Sequence, residues 1–232
     1  MNSWNLILSI ILACSISTEA GFIFGQPCSD RNTAYLYPTT WTIPENATQC
    51  VDVTGYRNQT NPQHHEAFLK LVPEATSFFA DHMNLSVFPL DMIRLLPSVE
   101  TIDLSGNQLR RIPFKTDLWV PKLSKLMLAD NSLFIPKKRP LMRSMSVKML
   151  MLSRNGISRL YPMTFSKLPS LQVLYLDGNK LKMIQPEVFK PLYALKYLHL
   201  GDNALMKVPP KTRLPEQLKF YITKSQRKLP IK

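Results

Sequence analysis

Leu171–Leu192 reads LQVLYLDGNKLKMIQPEVFKPL, and this stretch decides the fold of the chain. Leu174 and Leu176 are two residues apart, so in a short strand they point to the same side, while the residues between them point to the other side. Asn179 follows, and its side-chain amide can satisfy backbone groups that a turn leaves unpaired. A single unit of this kind cannot bury its own apolar face, so the fold depends on whether the unit recurs.

The unit recurs every 24 residues. Its first apolar position falls at Ala75, Val99, Leu123, Val147, Leu171 and Leu195. Its asparagine position falls at Met83 in the first copy and then at Asn107, Asn131, Asn155, Asn179 and Asn203. The apolar residues are spaced by three, two and five, which differs from the i, i+3, i+4, i+7 series of an amphipathic helix and argues against a helical array. The sequence therefore predicts a solenoid whose strands stack into one parallel sheet.

The pattern L-x-x-L-x-L-x-x-N-x-L resembles the leucine-rich repeat, in the typical 24-residue class of secreted proteins and receptor ectodomains. The second half of that repeat is retained through Phe165 and Phe189. The resemblance implies an α/β fold: a right-handed leucine-rich repeat solenoid, or horseshoe, with a concave parallel β-sheet and a convex side of irregular chain, 3-10 turns and short helices. It implies six repeats over residues 75–213, and a degenerate seventh repeat with a basic C-terminal tail over residues 214–232.

The N-terminal segment indicates export. Trp4 to Ala13 is an apolar run followed by small residues up to Ala20, which is typical of a cleaved signal peptide over residues 1–20, although no Lys or Arg precedes the run. An uncleaved anchor or a buried strand is the alternative. The run is too short to span a bilayer and the sequence has no hydrophobic tail, so no membrane span is expected. The sequence predicts a secreted, extracellular protein.

Residues 21–74 are predicted to form an N-terminal cap with one disulfide. Cleavage after the signal peptide would leave Cys28 and Cys50, and an even pair in a secreted protein is typical of a disulfide. Two free thiols are the alternative. Three N-x-S/T sequons predict N-glycosylation in the same compartment, at Asn46, Asn58 and Asn84.

The sequence offers no catalytic or metal-binding motif. It contains no G-x-S-x-G elbow, phosphate loop, H-E-x-x-H or Cys/His nucleophile arrangement. His64 and His65 have no partners at metal-ligand spacing, which favours a solvated loop over a zinc site. Asp130, Asp177 and Asp202 lie near strand ends without the spacing of a calcium loop. The sequence therefore predicts that the protein is not an enzyme and holds no metal or cofactor.

The residues between the strand leucines are predicted to form columns on the concave face. They include Phe79, Asp103, Met127, Met149, Met151, Val173, Tyr175, Tyr197 and His199. Met and Tyr are enriched at protein interfaces, and adjacent exposed apolar side chains mark interaction sites. The columns therefore predict a solvent-facing surface that binds a partner. The alternative is that the cap, the tail or a sister chain covers this patch for stability alone.

The repeat array is the basic part of the chain, whose formal net charge is +13. Residues 1–104 hold 4 basic and 10 acidic residues, whereas the remainder holds 25 and 6. A basic surface outside the strand columns comprises Lys137, Lys138, Arg139, Arg143, Lys180, Lys182, Lys207 and Lys211. It predicts contact with anionic glycans, acidic proteins or lipid head groups, and a solvated convex surface is the alternative. Nucleic acid is not expected, because the predicted signal directs the chain to another compartment and no nucleic-acid-binding module is present.

By the resemblance, the leading hypothesis is a protein-binding module that acts in extracellular recognition, in innate immunity or cell-surface signalling. It would dock an extracellular protein or a receptor ectodomain on its concave Met/Tyr face. The alternative is an extracellular-matrix scaffold associated with an anionic glycan through the basic surface, similar to small leucine-rich proteoglycans. The sequence also leaves a homodimer open.

Overall fold

The computed structural model of the chain describes residues 33–36, 41–43, 49–54, 62–116 and 120–223. Within these ranges, ten strands form one sheet in the order β10-β9-β8-β7-β6-β5-β4-β3-β1-β2. They are β1 (Thr33–Leu36), β2 (Trp41–Thr42), β3 (Cys50–Asp52), β4 (Ser77–Phe79), β5 (Thr101–Asp103), β6 (Lys125–Met127), β7 (Met149–Met151), β8 (Val173–Tyr175), β9 (Tyr197–His199) and β10 (Phe220–Ile222).

Neighbouring strands from β3 to β10 are parallel and follow chain order. β1 pairs parallel with β3, and β2 pairs antiparallel with β1, so the predicted cap continues the sheet. The result is a solenoid of about seven turns with little helix. The predicted leucine-rich repeat architecture is confirmed.

The main hydrophobic core lies on one side of this sheet. The central residue of each strand from β5 to β9 is fully buried there, namely Ile102, Leu126, Leu150, Leu174 and Leu198. Phe165 and Phe189 close the core on the convex side, with their rings stacked at a centroid distance of 6.3 Å. The alternation of strand residues between the two faces of the sheet explains why these positions are apolar in every repeat.

Short helices and irregular chain return each turn to the next strand. In the described part of the chain, the α-helices are α1 (Pro62–Leu69), before the repeats, and α2 (Leu90–Ile93), and two 3-10 helices span Pro186–Val188 and Lys211–Arg213. Because α1 includes His64 and His65, the predicted loop at these histidines is wrong. Pro186 stands at the start of its helix, where the fixed φ of proline suits a helical turn and its missing N–H is not needed. Among the described residues, no helix has the length and apolar content needed to cross a membrane.

A column of asparagines connects successive repeats. Asn155 shows the pattern: its Oδ1 accepts a hydrogen bond from the amide of Leu133 at 3.1 Å, and its Nδ2 donates to the carbonyl of Leu128 at 2.8 Å. The same two contacts, to residues 22 and 27 positions earlier, recur at Asn107, Asn131, Asn179 and Asn203. The side-chain amides therefore satisfy the backbone groups of the turns, as the sequence predicted.

The residue before each asparagine position has a positive φ. The six φ angles lie between 51° and 66°, at His82, Gly106, Asp130, Arg154, Gly178 and Asp202. A left-handed residue turns the chain sharply away from the strand, and glycine adopts this conformation without steric cost. Gly178 has a second reason to be glycine, because a Cβ built there would lie 2.6 Å from Cγ of Arg154.

Several predictions about the N-terminal part stay predictions. The signal peptide over residues 1–20, Cys28, Asn46 and Asn58 lie outside the described residues. The disulfide of Cys28 with Cys50 and glycosylation at the two sequons are therefore untested. Asn84 is exposed, and its Oδ1 accepts a hydrogen bond from Nε2 of Gln108. Its glycosylation is also untested.

β10 provides the last rung of the sheet. Phe220 pairs with Tyr197 across β10 and β9. Leu218 is buried, and Tyr221 packs against the main core while its hydroxyl donates to the carbonyl of Pro209 at 2.9 Å. Burial raises the pKa of Tyr221 to about 12, so this hydroxyl remains a donor throughout the physiological range.

Candidate functional site

The parallel register brings the predicted columns together on the concave face. One row of register partners across β4 to β9 contains Phe79, Asp103, Met127, Met151, Tyr175 and His199. The adjacent row across β6 to β9 contains Lys125, Met149, Val173 and Tyr197. Because one residue separates the two rows along each strand, both rows point to the same face of the sheet. The columns thus form one continuous surface opposite the main core.

Five of these side chains form a second hydrophobic cluster, which we call the Met/Tyr cluster. Its members are Met127, Met149, Met151, Tyr175 and Tyr197, each only 4–8% exposed. Val173 and Ile222 are partly buried against it. The prediction that these five side chains face solvent is therefore wrong, and Phe79 and Asp103 are likewise buried. The side chains bury one another within the cluster, which is a packing role, whereas the alternative interpretation expected the cap, the tail or a sister chain to cover them.

The physical reason lies partly in the spacing of the strands. Neighbouring strands are about 4.8 Å apart, so long side chains on successive rungs cover one another. The rings of Tyr175 and Tyr197 show this directly, with centroids 5.1 Å apart and an interplanar angle of 41°. His199 meets Tyr175 edge-on, at a centroid distance of 5.9 Å. The aromatic side chains therefore pack as a group.

Asp103 is a buried carboxylate at the N-terminal side of the Met/Tyr cluster. Its register partners are Phe79 and Met127, both apolar. Burial raises the pKa of Asp103 to about 6; hydrogen bonding from Ser105, whose backbone amide donates to Oδ1 at 2.9 Å, opposes that rise. Asp81 raises this pKa further and His82 lowers it. Asp103 can therefore change its charge in mildly acidic solution.

A polar group lies at the other end of the concave face. Oδ1 of Asp177 accepts a hydrogen bond from the Ser153 hydroxyl at 2.7 Å and lies 3.0 Å from Nδ1 of His199. Burial alone would raise the pKa of Asp177, but the contacts with His199 and Ser153 outweigh it, and the pKa is lowered. Asp177 is therefore ionised at neutral pH and holds the His199 ring beside the Met/Tyr cluster.

The contacts among Ser153, Asp177 and His199 differ from those in a hydrolytic triad. In a triad the imidazole contacts the serine and the carboxylate contacts the imidazole. Here the carboxylate of Asp177 stands between Ser153 and His199, so the serine hydroxyl donates to a carboxylate and not to the imidazole that would activate it in a triad. The arrangement supplies an oriented polar contact. Within the described ranges, no three His, Cys, Asp or Glu side chains group closely enough to hold a metal ion.

The predicted basic residues do not form one surface. Lys137, Lys138 and Arg139 are exposed on the convex return of the third repeat, and the Arg139 guanidinium lies over the Phe114 ring, 5.7 Å from its centroid. Arg143 is exposed further along the same return. The exposed residues Lys180, Lys182 and Lys207 instead follow the asparagine turns of the last two repeats. Lys211 begins a 3-10 helix, and its side chain lies outside the described part.

Sequence reasoning missed two features of these surfaces. The contact of Ser153 with Asp177 joins residues 24 positions apart, and the equal spacing is the signal that could have found it. The second feature is a row of exposed Phe and Met side chains among the cations that follow the asparagine turns. Comparing, in every repeat, the two positions that follow the apolar residue of the turn would have found this row, whereas the strand columns do not include these positions.

Comparisons with known proteins agree with the fold. Residues 121–181 and 170–212 match a family model described as leucine rich repeat. A solved leucine-rich repeat protein of Leptospira interrogans is similar at 24% identity and a TM-score of 0.50, over 76% of this chain and 49% of its own length. An internalin of Listeria monocytogenes is similar at 18% identity and a TM-score of 0.46, over 75% and 54%. The chain thus spans about half the length of these solved proteins. The curated proteins contain no significant match.

Proposed function

We propose that this leucine-rich repeat protein is a secreted recognition module that binds a protein partner on its concave face. The repeated leucines and asparagines serve the fold, so a function specific to this chain must use the residues that vary between repeats. The parallel register collects those residues on one face, and this is the observation that carries the proposal. Secretion rests on the apolar N-terminal run and the sequons in the sequence.

The partner contacts the edge of the Met/Tyr cluster. This edge consists of four partly exposed residues, Val173, Asp177, His199 and Ile222. Val173 and Ile222 pack against the cluster, His199 meets the Tyr175 ring edge-on, and Asp177 contacts His199. They combine apolar contact with a charged and oriented polar pair, which suits a protein partner better than a purely charged ligand. Packing against the buried cluster already restricts the edge side chains, so they lose little conformational freedom when a partner docks.

The role of the partner follows from the resemblance to receptor ectodomains and secreted repeat proteins. We place the module in innate immunity or cell-surface signalling, with an extracellular protein or receptor ectodomain as the partner. A second copy of the chain is an alternative occupant of the same face. The oligomeric state of the purified protein distinguishes a homodimer from a complex with a different protein.

The test is capture of partners from extracellular fluid of the source tissue, with crosslinked peptides identified by mass spectrometry. The wild type is compared with Val173→Ser/His199→Gln, which alters the partly exposed edge and retains all five residues of the Met/Tyr cluster, and thermal unfolding verifies that the variant is folded. Tyr193→Ser changes a side chain that is 76% exposed and lies outside the strands, and it is the matched control. We expect the edge variant to weaken capture about tenfold or more and the control to retain it. Equal capture by all three proteins would contradict the concave-face proposal.

A second candidate function is association with an anionic glycan of the extracellular matrix. The consecutive exposed cations Lys137, Lys138 and Arg139 favour it. Charge-dominated binding weakens steeply with added salt, whereas apolar docking does not. Retention on heparin that disappears at moderate salt and with Lys137→Gln/Lys138→Gln would support this function. Retention unchanged by that variant would count against it.

A further inference from the structure

Another surface lies where the chain leaves each asparagine turn, and we call it the flank. It comprises residues 108–111, 132–135, 156–159, 180–183 and 204–207, one four-residue segment from each of five repeats. These segments contain six basic residues and no acidic residue, the basic ones being Arg110, Arg111, Arg159, Lys180, Lys182 and Lys207. All six are exposed. The flank is therefore a cationic strip along the solenoid.

The flank also carries large apolar side chains that point to solvent. Phe134 is 63% exposed, Met183 is 66% exposed and Met206 is 82% exposed. The second residue of each segment already supplies a core side chain: it is buried in four segments, as at Leu133 and Leu181, and Leu205 of the last segment packs partly buried against the core. Exposed apolar side chains that recur along one surface are typical of an interaction site.

Backbone hydrogen bonds place these apolar residues next to cations. The amide of Phe134 donates to the carbonyl of Arg110 at 2.9 Å, and the amide of Met206 donates to the carbonyl of Lys182 at 3.1 Å. Met183 stands 24 residues after Arg159, so each of the three apolar residues has a cation at the same position of the preceding repeat. Apolar and basic groups alternate along the flank instead of forming separate patches.

The cations of the flank are not neutralised by the protein. In the described part of the chain, no side chain of the six forms an ion pair or a hydrogen bond. The carboxylate nearest in sequence to any of these cations is Asp177, three residues before Lys180, and its Oδ1 already contacts the Ser153 hydroxyl at 2.7 Å and Nδ1 of His199 at 3.0 Å. The positive charge thus remains available to an external anion.

We propose that the flank binds the surface of a lipid bilayer that contains anionic lipids. The cations would contact the head groups, while Phe134, Met183 and Met206 would enter the boundary between head groups and acyl chains. A polysaccharide would use the cations but has no apolar layer to receive these three side chains. This surface is separate from the concave face, so the proposal stands independently of the proposed protein partner.

The test is flotation of the purified full chain with vesicles of phosphatidylcholine alone and of phosphatidylcholine mixed with phosphatidylserine. One variant removes charge, Arg159→Gln/Lys182→Gln/Lys207→Gln, and a second removes apolar groups, Phe134→Ser/Met183→Ser/Met206→Ser. Each lost cation is expected to weaken binding about fivefold, so the first variant loses about 100-fold. The second is expected to lose about tenfold or more. Wild type is expected to bind only the vesicles with phosphatidylserine.

Matched controls carry the same changes elsewhere. Lys148→Gln/Lys167→Gln/Lys190→Gln removes three exposed cations outside the flank, and Met145→Ser/Tyr193→Ser removes two exposed apolar side chains outside it. Both controls are expected to bind the vesicles as wild type does, and circular dichroism and thermal unfolding verify that every variant is folded.

Three outcomes would overturn the proposal. The flank would be a site for soluble polyanions if two results came together: the apolar variant binds vesicles as wild type does, and the charge variant loses both heparin and vesicle binding. An equal loss in the three-lysine control would reduce the effect to net charge. No binding of wild type to vesicles with phosphatidylserine would exclude a lipid surface directly.

Discussion

Asn155 shows how single residues hold this fold together. Its side chain is buried and links the backbones of two repeats through the amide of Leu133 and the carbonyl of Leu128. Replacing it by Ala leaves these groups buried without partners, which costs about 1–3 kcal/mol for each unsatisfied group. We expect Asn155→Ala to lower the free energy of unfolding by about 2–4 kcal/mol, measured by urea denaturation.

Asn203 is the matched control for that change. It makes the same contacts, with Leu181 and Leu176, but it is only partly buried near the end of the array. Water can replace some of its hydrogen bonds, so Asn203→Ala should cost clearly less than Asn155→Ala. Equal losses at both positions would show that burial does not determine the contribution of this column.

Two glycines beside the asparagine turns, one after Asn155 and one before Asn179, allow a second comparison. Gly156 and Gly178 both have a positive φ, of 70° and 65°. A Cβ at Gly156 would have no neighbour within 4 Å, whereas one at Gly178 would displace the Arg154 side chain, which is bonded to Asp130. Gly156→Ala should therefore cost about 1 kcal/mol from the backbone alone, and Gly178→Ala should cost about 1–2 kcal/mol more. Thermal unfolding of both variants measures the difference, and equal costs would contradict the close approach.

The buried carboxylate of Asp103 should make stability depend on pH. Its pKa is raised to about 6, so the folded state binds the proton more tightly than the unfolded state does. The contribution of Asp103 to the free energy of unfolding should therefore be most favourable at low pH and should fall as the pH rises from about 4 to about 6. Above that range the buried charge costs on the order of 3 kcal/mol.

Asp103→Asn tests this sign directly. Urea unfolding should show the variant to be more stable than wild type by about 2–3 kcal/mol near neutral pH, and equally stable near pH 4. Asp202→Asn, at an exposed carboxylate, is the control. A variant less stable than wild type at neutral pH would mean that the Asp103 charge is favourable in the folded state.

The sequence predicted the structural role of the asparagines but not the burial of Asp103. The asparagine column was readable because each member must make the same contacts at the same interval, so the chemistry repeats with the fold. Asp103 was not, because the exposure of a carboxylate depends on side chains from neighbouring turns such as Phe79 and Met127. The repeat spacing shows on which face of the sheet a residue lies, but it does not show how far neighbouring side chains cover that residue.

At the level of strands, β7 has two buried faces. Leu150 points into the main core, and Met149 and Met151 point into the Met/Tyr cluster. The sequence predicted the register of this strand and the membership of both rows. It did not predict that the second face is buried, since alternation in a parallel sheet distinguishes the two faces without stating what covers either.

Adjacent residues of β7 provide the corresponding prediction. Leu150→Ala should cost about 2–5 kcal/mol, as is usual for truncation in a core. Met151→Ala should cost about 1–3 kcal/mol, because it removes a side chain that is 7% exposed from a second packed cluster. Denaturation of both variants with guanidinium checks the values. A change within about 0.5 kcal/mol for Met151→Ala would mean that this side chain behaves as an ordinary surface residue.

For the whole molecule, the repeats form a one-dimensional array in which each turn contacts its neighbours. The middle strands β6, β7 and β8 have a neighbour on each side and packing on both faces, whereas β10 ends the sheet. Amide hydrogen exchange should therefore be slowest in Leu126, Leu150 and Leu174 and much faster in β10. Uniform protection along the array would show that the molecule opens only as a single unit.

The Met/Tyr cluster also has a mechanical consequence. A curved sheet can bend more or less tightly when its concave face carries only small side chains, because neighbouring strands can then tilt toward or away from one another. Here the inner side chains already touch: tighter bending would compress close-packed Met and Tyr side chains, and straightening would pull the rings of Tyr175 and Tyr197 apart from their 5.1 Å separation. The central arc of this protein is therefore stiff in both directions, and it meets any binding partner with a curvature that was set when the chain folded.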